Sequence, residues 1–164
     1  MKSFSNREGV RIVDDLIAAI RERQQTLSDI DGAIGDGDHG VNMAKGFGFA
    51  AEELAKNPGN LGYGLGVLGK TLMMRIGGAM GPLYGSIFRS MSKAIEDRES
   101  IDAESFGEML QAAGEGVGAL SQAKVGDKSL VDALYPAVDA YGIALEKGND
   151  FEESLDAMVA AARG

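Results

Sequence analysis

Three aspartates and the chain's only histidine share one short stretch, Asp31-Gly-Ala-Ile-Gly-Asp36-Gly-Asp38-His39-Gly40. Carboxylate oxygens are natural ligands for hard divalent cations such as Mg2+ and Ca2+. The intervening glycines let the backbone turn tightly enough to aim several carboxylates at one point. An EF-hand would need an oxygen ligand at loop position 5 and a glutamate at position 12; counted from Asp36 these positions hold Gly40 and Phe47, which excludes it. Mg2+ takes fewer protein ligands and completes its shell with water and phosphate oxygens, whereas three carboxylates gathered without a cation repel one another. The stretch reads as a divalent-cation site with Asp31, Asp36 and Asp38 as ligands. The alternative is an acidic loop that only caps the next helix.

The residues that follow suit an anion. His39-Gly40-Val41-Asn42 opens a helix, whose free N–H groups can receive a phosphate, and Asn42 belongs to the same pocket. His39 is a candidate acid/base group or phosphoryl carrier, because imidazole titrates near neutral pH; the plainer role is to orient the loop by a hydrogen bond. Gly77-Gly78-Ala79-Met80-Gly81-Pro82 is a second loop that permits close backbone approach to a ligand ahead of a helix, and Gly126-Asp127-Lys128-Ser129 is a third. Gly64-Leu-Gly-Val-Leu-Gly69-Lys70-Thr71 matches the P-loop pattern literally. That motif needs a buried strand before it, and Lys56-Asn-Pro-Gly-Asn-Leu-Gly cannot form one, while the leucine spacing runs helically straight through.

The elements that must position these loops are helices. Ser5-Asn-Arg-Glu8 has the form of a capping box, and Val10, Val13, Leu16, Ile17 and Ile20 mark one face of a first helix. After the acidic loop, a second helix from about Val41 carries Met43, Phe47, Ala50, Ala51 and Leu54, and Asn57-Pro-Gly-Asn60 is a turn. Leu61, Leu65, Leu68, Leu72 and Ile76 define a third helix. A fourth has Pro82 at its first position and buries Leu83, Tyr84, Ile87, Phe88, Met91 and Ile95. Asp102 is the N-cap of a fifth helix with Phe106, Met109, Leu110, Ala113, Val117 and Leu120 inward. A sixth runs from about Ser129 to Lys147 around Pro136, which should kink it, and a seventh from about Phe151 to Ala162. No run alternates with period two, so the expected class is all-α, an antiparallel amphipathic bundle that gathers the three loops at one end.

Composition narrows the function. The length, 164 residues, suits a single domain spanning 1–164, and 45% hydrophobic with 25% charged residues is globular. A net charge of −9 argues against a nucleic-acid surface. The absence of cysteine excludes a disulfide scaffold or thiolate metal site, and no apolar run approaches the roughly 18 residues of a membrane span. With no apolar leader at its start, the chain is expected to be cytoplasmic.

Asp31-x4-Asp36-Gly-Asp38-His39-Gly-x-Asn42-Met43, then Gly77-Gly-Ala-x-Gly-Pro-Leu-Tyr-Gly85-Ser86, then Gly126-Asp-Lys, resemble the nucleotide-binding L subunit, or C-terminal domain, of dihydroxyacetone kinases over about residues 8 to 145. The resemblance implies a barrel-like bundle of eight antiparallel helices with a nucleotide, ADP or ATP, at one end. It implies that Asp31, Asp36 and Asp38 hold two Mg2+ ions. It further implies nucleotide contacts from His39, Gly40, Val41 and Asn42, from Ala79 and Met80, and from the positions matching Ser121 and Leu130. The ketose would sit covalently on a separate K-type subunit, so this chain carries no catalytic residue beyond the Mg-nucleotide site. In one branch of the family an M-type subunit with a phosphohistidine recharges the bound nucleotide.

Departures from the pattern bear on that expectation. Met80 stands where the family has serine, Ser121-Gln122-Ala123 stands where Gly-Lys-Ala is common, and Leu130 replaces a frequent methionine. The family's later Gly-Arg-Ala-Ser-Tyr-Leu-Gly-Glu-Arg-Ser-type lid has no counterpart before Gly164, so the expectation is a shortened chain or a nucleotide site without its lid. A noncatalytic partner-binding module of the same fold, or a kinase subunit for another short ketose, are the competing readings.

Overall fold

A computed structural model describes residues 2–164. Among them are eight α-helices: α1 (Arg11–Glu22), α2 (Gln24–Gly32), α3 (His39–Lys56), α4 (Leu61–Arg75), α5 (Met80–Ala94), α6 (Ala103–Gly118), α7 (Val131–Glu146) and α8 (Phe151–Arg163). The all-α expectation holds, with one helix more than the seven read from the sequence. The additional one is α2, which buries no residue and therefore shows no apolar stripe to read. It continues α1 after a break at Arg23, whose N–H still donates to the Ala19 carbonyl.

Two further expectations need correction. Ser5 and Glu8 form no capping box: Ser3–Ser5 is a short strand β1, antiparallel to β2 (Ser100–Asp102) with Phe4 opposite Ile101. The Ser5 hydroxyl accepts from the Arg7 N–H, and a 3-10 turn at Glu8–Val10 leads into α1. Pro82 is the third residue of α5, not the first, where its missing N–H still costs no helical bond.

The apolar stripes converge on one core. Val13, Phe47, Leu61, Leu65, Leu68, Leu72, Ile95 and Val117 are almost fully buried there. Leu120, expected on the inner face of α6, lies beyond its end and is 55% exposed. The backbones of α4 and α5 touch: a Cβ on Gly69 would lie 2.7 Å from the Gly85 carbonyl oxygen, and a Cβ on Gly85 2.8 Å from that of Gly69. A smaller cluster of Leu110, Tyr141 and Phe151 joins α6, α7 and α8. Buried Asn6 ties the N-terminal segment to two helices. Its Nδ2 donates to the carbonyls of Ile95 (3.2 Å) and Arg98 (2.6 Å), and its Oδ1 accepts from the Gly62 N–H at 3.1 Å.

From α2 to α7 successive helices run antiparallel, which decides where the loops lie. Gly46 in the first half of α3 abuts Leu72 and Ile76 at the end of α4. Gly81 at the start of α5 abuts the carbonyls of the same two residues, and Gly116 near the end of α6 abuts Ser86 and Ser90 of α5. The connections 33–38, 76–79 and 119–130 therefore share one end of the bundle. Among the described residues no helix is long and apolar enough to cross a membrane.

Candidate metal and phosphate site

The aspartate cluster is built from the junction of α2 and α3. Asp31 belongs to the last turn of α2, not to the loop, and its carbonyl accepts from the N–H groups of Ile34 (3.2 Å) and Gly35 (2.6 Å), which turns the chain back. Gly37 then takes φ +76°, a left-handed conformation that glycine adopts without penalty. Asp38 precedes the first residue of α3. One oxygen from each of Asp31, Asp36 and Asp38 lies within 4.8 Å of the others.

Hydrogen bonds hold these carboxylates in place. The His39 N–H donates to Asp31 Oδ2 at 3.3 Å and the Asp38 N–H to Asp36 Oδ1 at 3.3 Å. Asn42 Nδ2 donates to Asp38 Oδ2 at 2.7 Å, from one turn into α3. Asp31 is half-buried while Asp36 and Asp38 are exposed, and no lysine or arginine pairs with any of them among the described residues. Three hard oxygen donors without an organic counter-charge fit a divalent cation such as Mg2+.

Gly40 sets how closely α3 docks on α2. A Cβ there would lie 1.9 Å from the Gln24 carbonyl oxygen and 2.8 Å from the Ser28 nitrogen. The glycine thus fixes the height of the α3 N-terminus against the helix that carries Asp31. Val41 next to it is 51% exposed.

The remaining expected residues share this end of the bundle without hydrogen bonds to the aspartates. Ala79 is exposed beside Gly78, which has φ +69°, and its carbonyl accepts from the Leu83 N–H. The side chains of Met80 and Leu130 pack partly against the main core. The Ser121 hydroxyl, on a half-buried residue, accepts from the Ala123 N–H at 3.1 Å. The P-loop-like stretch lies wholly inside α4, and so forms no phosphate loop.

Two residues have site-end roles that the sequence reading did not assign. The ring of Tyr84, one turn into α5, stands 6.4 Å from that of His39 and links the start of α5 to the start of α3. Burial raises its phenol above the ordinary range. Asp132 in the first turn of α7 accepts from the N–H groups of Gly126 (2.6 Å) and Ser129 (2.8 Å), organising the loop that holds Lys128 at φ +56°. Those backbone bonds, Ser129 first, lower its carboxyl below the usual range. An acidic residue in a helix's first turn was a visible signal. Tyr84 had none, because its aromatic side chain read as core.

Comparison with known proteins adds a lineage. The model of a family described as the DAK2 domain matches residues 33–164, beginning two residues after Asp31. The chain is 40% identical over 132 residues to the PEP-dependent dihydroxyacetone kinase 1, ADP-binding subunit DhaL, of Listeria innocua, covering 80% of this chain and 66% of that one. It is 36% identical over 146 residues to the PTS-dependent dihydroxyacetone kinase, ADP-binding subunit DhaL, of Lactococcus lactis, covering 88% and 71%. The matched stretch thus spans about two thirds of the length of these relatives. The fold matches the crystal structure of the dihydroxyacetone kinase from C. freundii in complex with AMP-PNP and Mg2+. The TM-score is 0.67 at 24% identity, over 93% of this chain and 27% of that one.

Proposed function

The chain belongs to the DAK2-domain family, and from that premise we propose that it is the Mg-nucleotide-binding component of a dihydroxyacetone-type kinase. The observation that carries this reading is the convergence of Asp31, Asp36 and Asp38 oxygens within 4.8 Å at the N-terminus of α3. In this reading the three carboxylates hold Mg2+, two ions by the family pattern, and the ions offset the charge of the nucleotide phosphates. The N–H groups of Gly40 and Val41 in the first turn of α3 receive phosphate oxygens, while those of His39 and Asn42 are engaged by Asp31 and by the Asp38 carbonyl. Ala79, Met80, Ser121 and Leu130 flank the rest of ADP or ATP.

The chain's own residues bind and orient; none needs to remove a proton. Phosphoryl transfer rests mainly on positioning and charge neutralisation. Asn42 fixes Asp38 by its 2.7 Å bond, and the backbone N–H of His39 fixes Asp31. The His39 side chain orients the loop beside Tyr84 and carries no phosphoryl group. A K-type subunit supplies the ketose and the groups that act on its hydroxyl, so this chain alone is nearly inactive. In a phosphotransferase-linked system an M-type phosphohistidine subunit recharges the nucleotide. The site works in the cytoplasm, where both nucleotide and Mg2+ are available.

Calorimetric titration of ADP and ATP, with Mg2+ and with EDTA, tests the proposal. Binding that needs Mg2+ and disappears in an Asp36→Ala/Asp38→Ala variant with an unchanged circular dichroism spectrum is the expected result. The absence of metal-dependent binding by the unmodified chain overturns it.

A further inference from the structure

A groove of about 860 Å³ runs between α4 and α5, lined by none of the three aspartates, and its walls include Tyr63, Lys70, Met73, Met74, Arg89 and Lys93, with Glu96 the one carboxylate among them. Its charge runs against that of the protein. Residues 39–95 carry six lysines and arginines against two glutamates, while the rest of the chain carries ten against twenty-three carboxylates. In so acidic a chain, surface cations would be expected to find partners. Yet among the described residues the one ion pair is Arg98 with Glu108, and Lys70, Arg89 and Lys93 have none. The Arg89 guanidinium donates instead to the Met73 sulfur at 3.4 Å, a weak acceptor. Between these cations lie apolar side chains open to solvent, Met74 at 73% and Tyr63 at 43% exposure.

We propose that this groove docks an acidic amphipathic helix of a partner protein, with its apolar side on Tyr63, Met73 and Met74 and its carboxylates on Lys70, Arg89 and Lys93. Flexible methionines fit irregular apolar partners, and unpaired cations around an apolar strip complement Leu/Glu-type helices. From Tyr63 to Met74 the α4 wall is about 16 Å long, the rise of some three helical turns. Arg89 and Lys93 stand one turn apart on α5, so the charge is spread along the groove. A long polyanion such as nucleic acid would meet the field of the acidic remainder. A short helix in the groove meets three lining cations against one lining carboxylate, Glu96, within a Debye length, about 8 Å at physiological salt.

The test uses the full chain and a fluorescent peptide of about 18 residues, with leucine at i, i+3, i+4 and i+7 and glutamate and alanine elsewhere. A control peptide carries lysine in place of glutamate. The expected result is saturable anisotropy with the acidic peptide only, weakened at least about tenfold by Lys70→Glu/Arg89→Glu/Lys93→Glu and by raising salt. The Met73 and Met74 methyl resonances shift on binding. Met74→Ser, an exposed change that leaves every cation in place, also weakens it. Failure of the acidic peptide to bind overturns the proposal, as does equal binding of the lysine peptide or undiminished binding by the folded charge-reversal variant. Displacement of the peptide by inorganic tripolyphosphate at lower concentration than by unlabelled peptide would make the groove a small-anion site, and overturns it likewise.

Discussion

At Gly40 a single missing methyl group decides the geometry of the candidate site. The Gln24 carbonyl oxygen lies 1.9 Å from where a Cβ would stand, and Ser28 crowds the same space. Backbone cannot yield there as a flexible side-chain tip would. Gly40→Ala should therefore push α3 away from α2 and destabilise the fold by about 1–3 kcal/mol, the usual range for overpacking. Urea unfolding measures that loss, and calorimetry should show weaker Mg-nucleotide binding in the same variant. Unchanged stability would mean that the helices separate freely and that Gly40 does not set the site. The aspartates were legible as a group because their type and spacing are chemically unusual. The reach of Asn42 to Asp38 was legible in part, since a helical offset of four places residues on one face.

At the scale of elements, the longer helices follow from their apolar periods and the connections follow from local hydrogen bonding. Asp102 caps α6 as expected and forms a full capping box with Ser105, whose side-chain and backbone bonds lower the Asp102 carboxyl. The N-terminal segment behaves otherwise. Ser5 and Glu8 carry the residue types of a capping box, but pairing of Phe4 with Ile101 draws Ser5 into a strand, and the helix begins at Arg11. Asn6, a residue without a sequence motif, anchors this segment by three side-chain hydrogen bonds while only 2% exposed. Asn6→Ala leaves the Gly62 N–H and two carbonyls without partners, and should cost about 2–3 kcal/mol by urea unfolding. A cost near zero would show that the N-terminal strand contributes little to the fold.

At the scale of the whole molecule, Tyr141 joins α7 to the start of α6 through a 2.8 Å bond from its hydroxyl to the Ala103 carbonyl. Burial, with the Asp102 charge nearby, pushes its phenol up to about 12. Up to about pH 10, the ordinary tyrosine value, folded and unfolded chains both keep the proton and the contribution is intact. Above that the unfolded chain releases its proton while the folded one retains it, so stability falls as the pH rises toward 12. Tyr141→Phe should flatten this alkaline decline in unfolding free energy, with a residual slope from Tyr84, whose phenol is also raised. An unaltered slope would assign the decline to other groups.

The sequence by itself determined the helical class, the inward faces of α3 to α6, the aspartate group and the family that its motifs resemble. These are local properties: period, capping chemistry and ligand spacing lie within a few residues of one another. Only the tertiary structure decided that Asp31 sits on a helix, that Tyr84 stands beside His39, that Asp132 organises the loop before it, and that Lys70 lines a groove. Each of those depends on which helices pack together and how closely. A helix such as α2, which buries none of its residues, leaves no period in the sequence from which its place could be read.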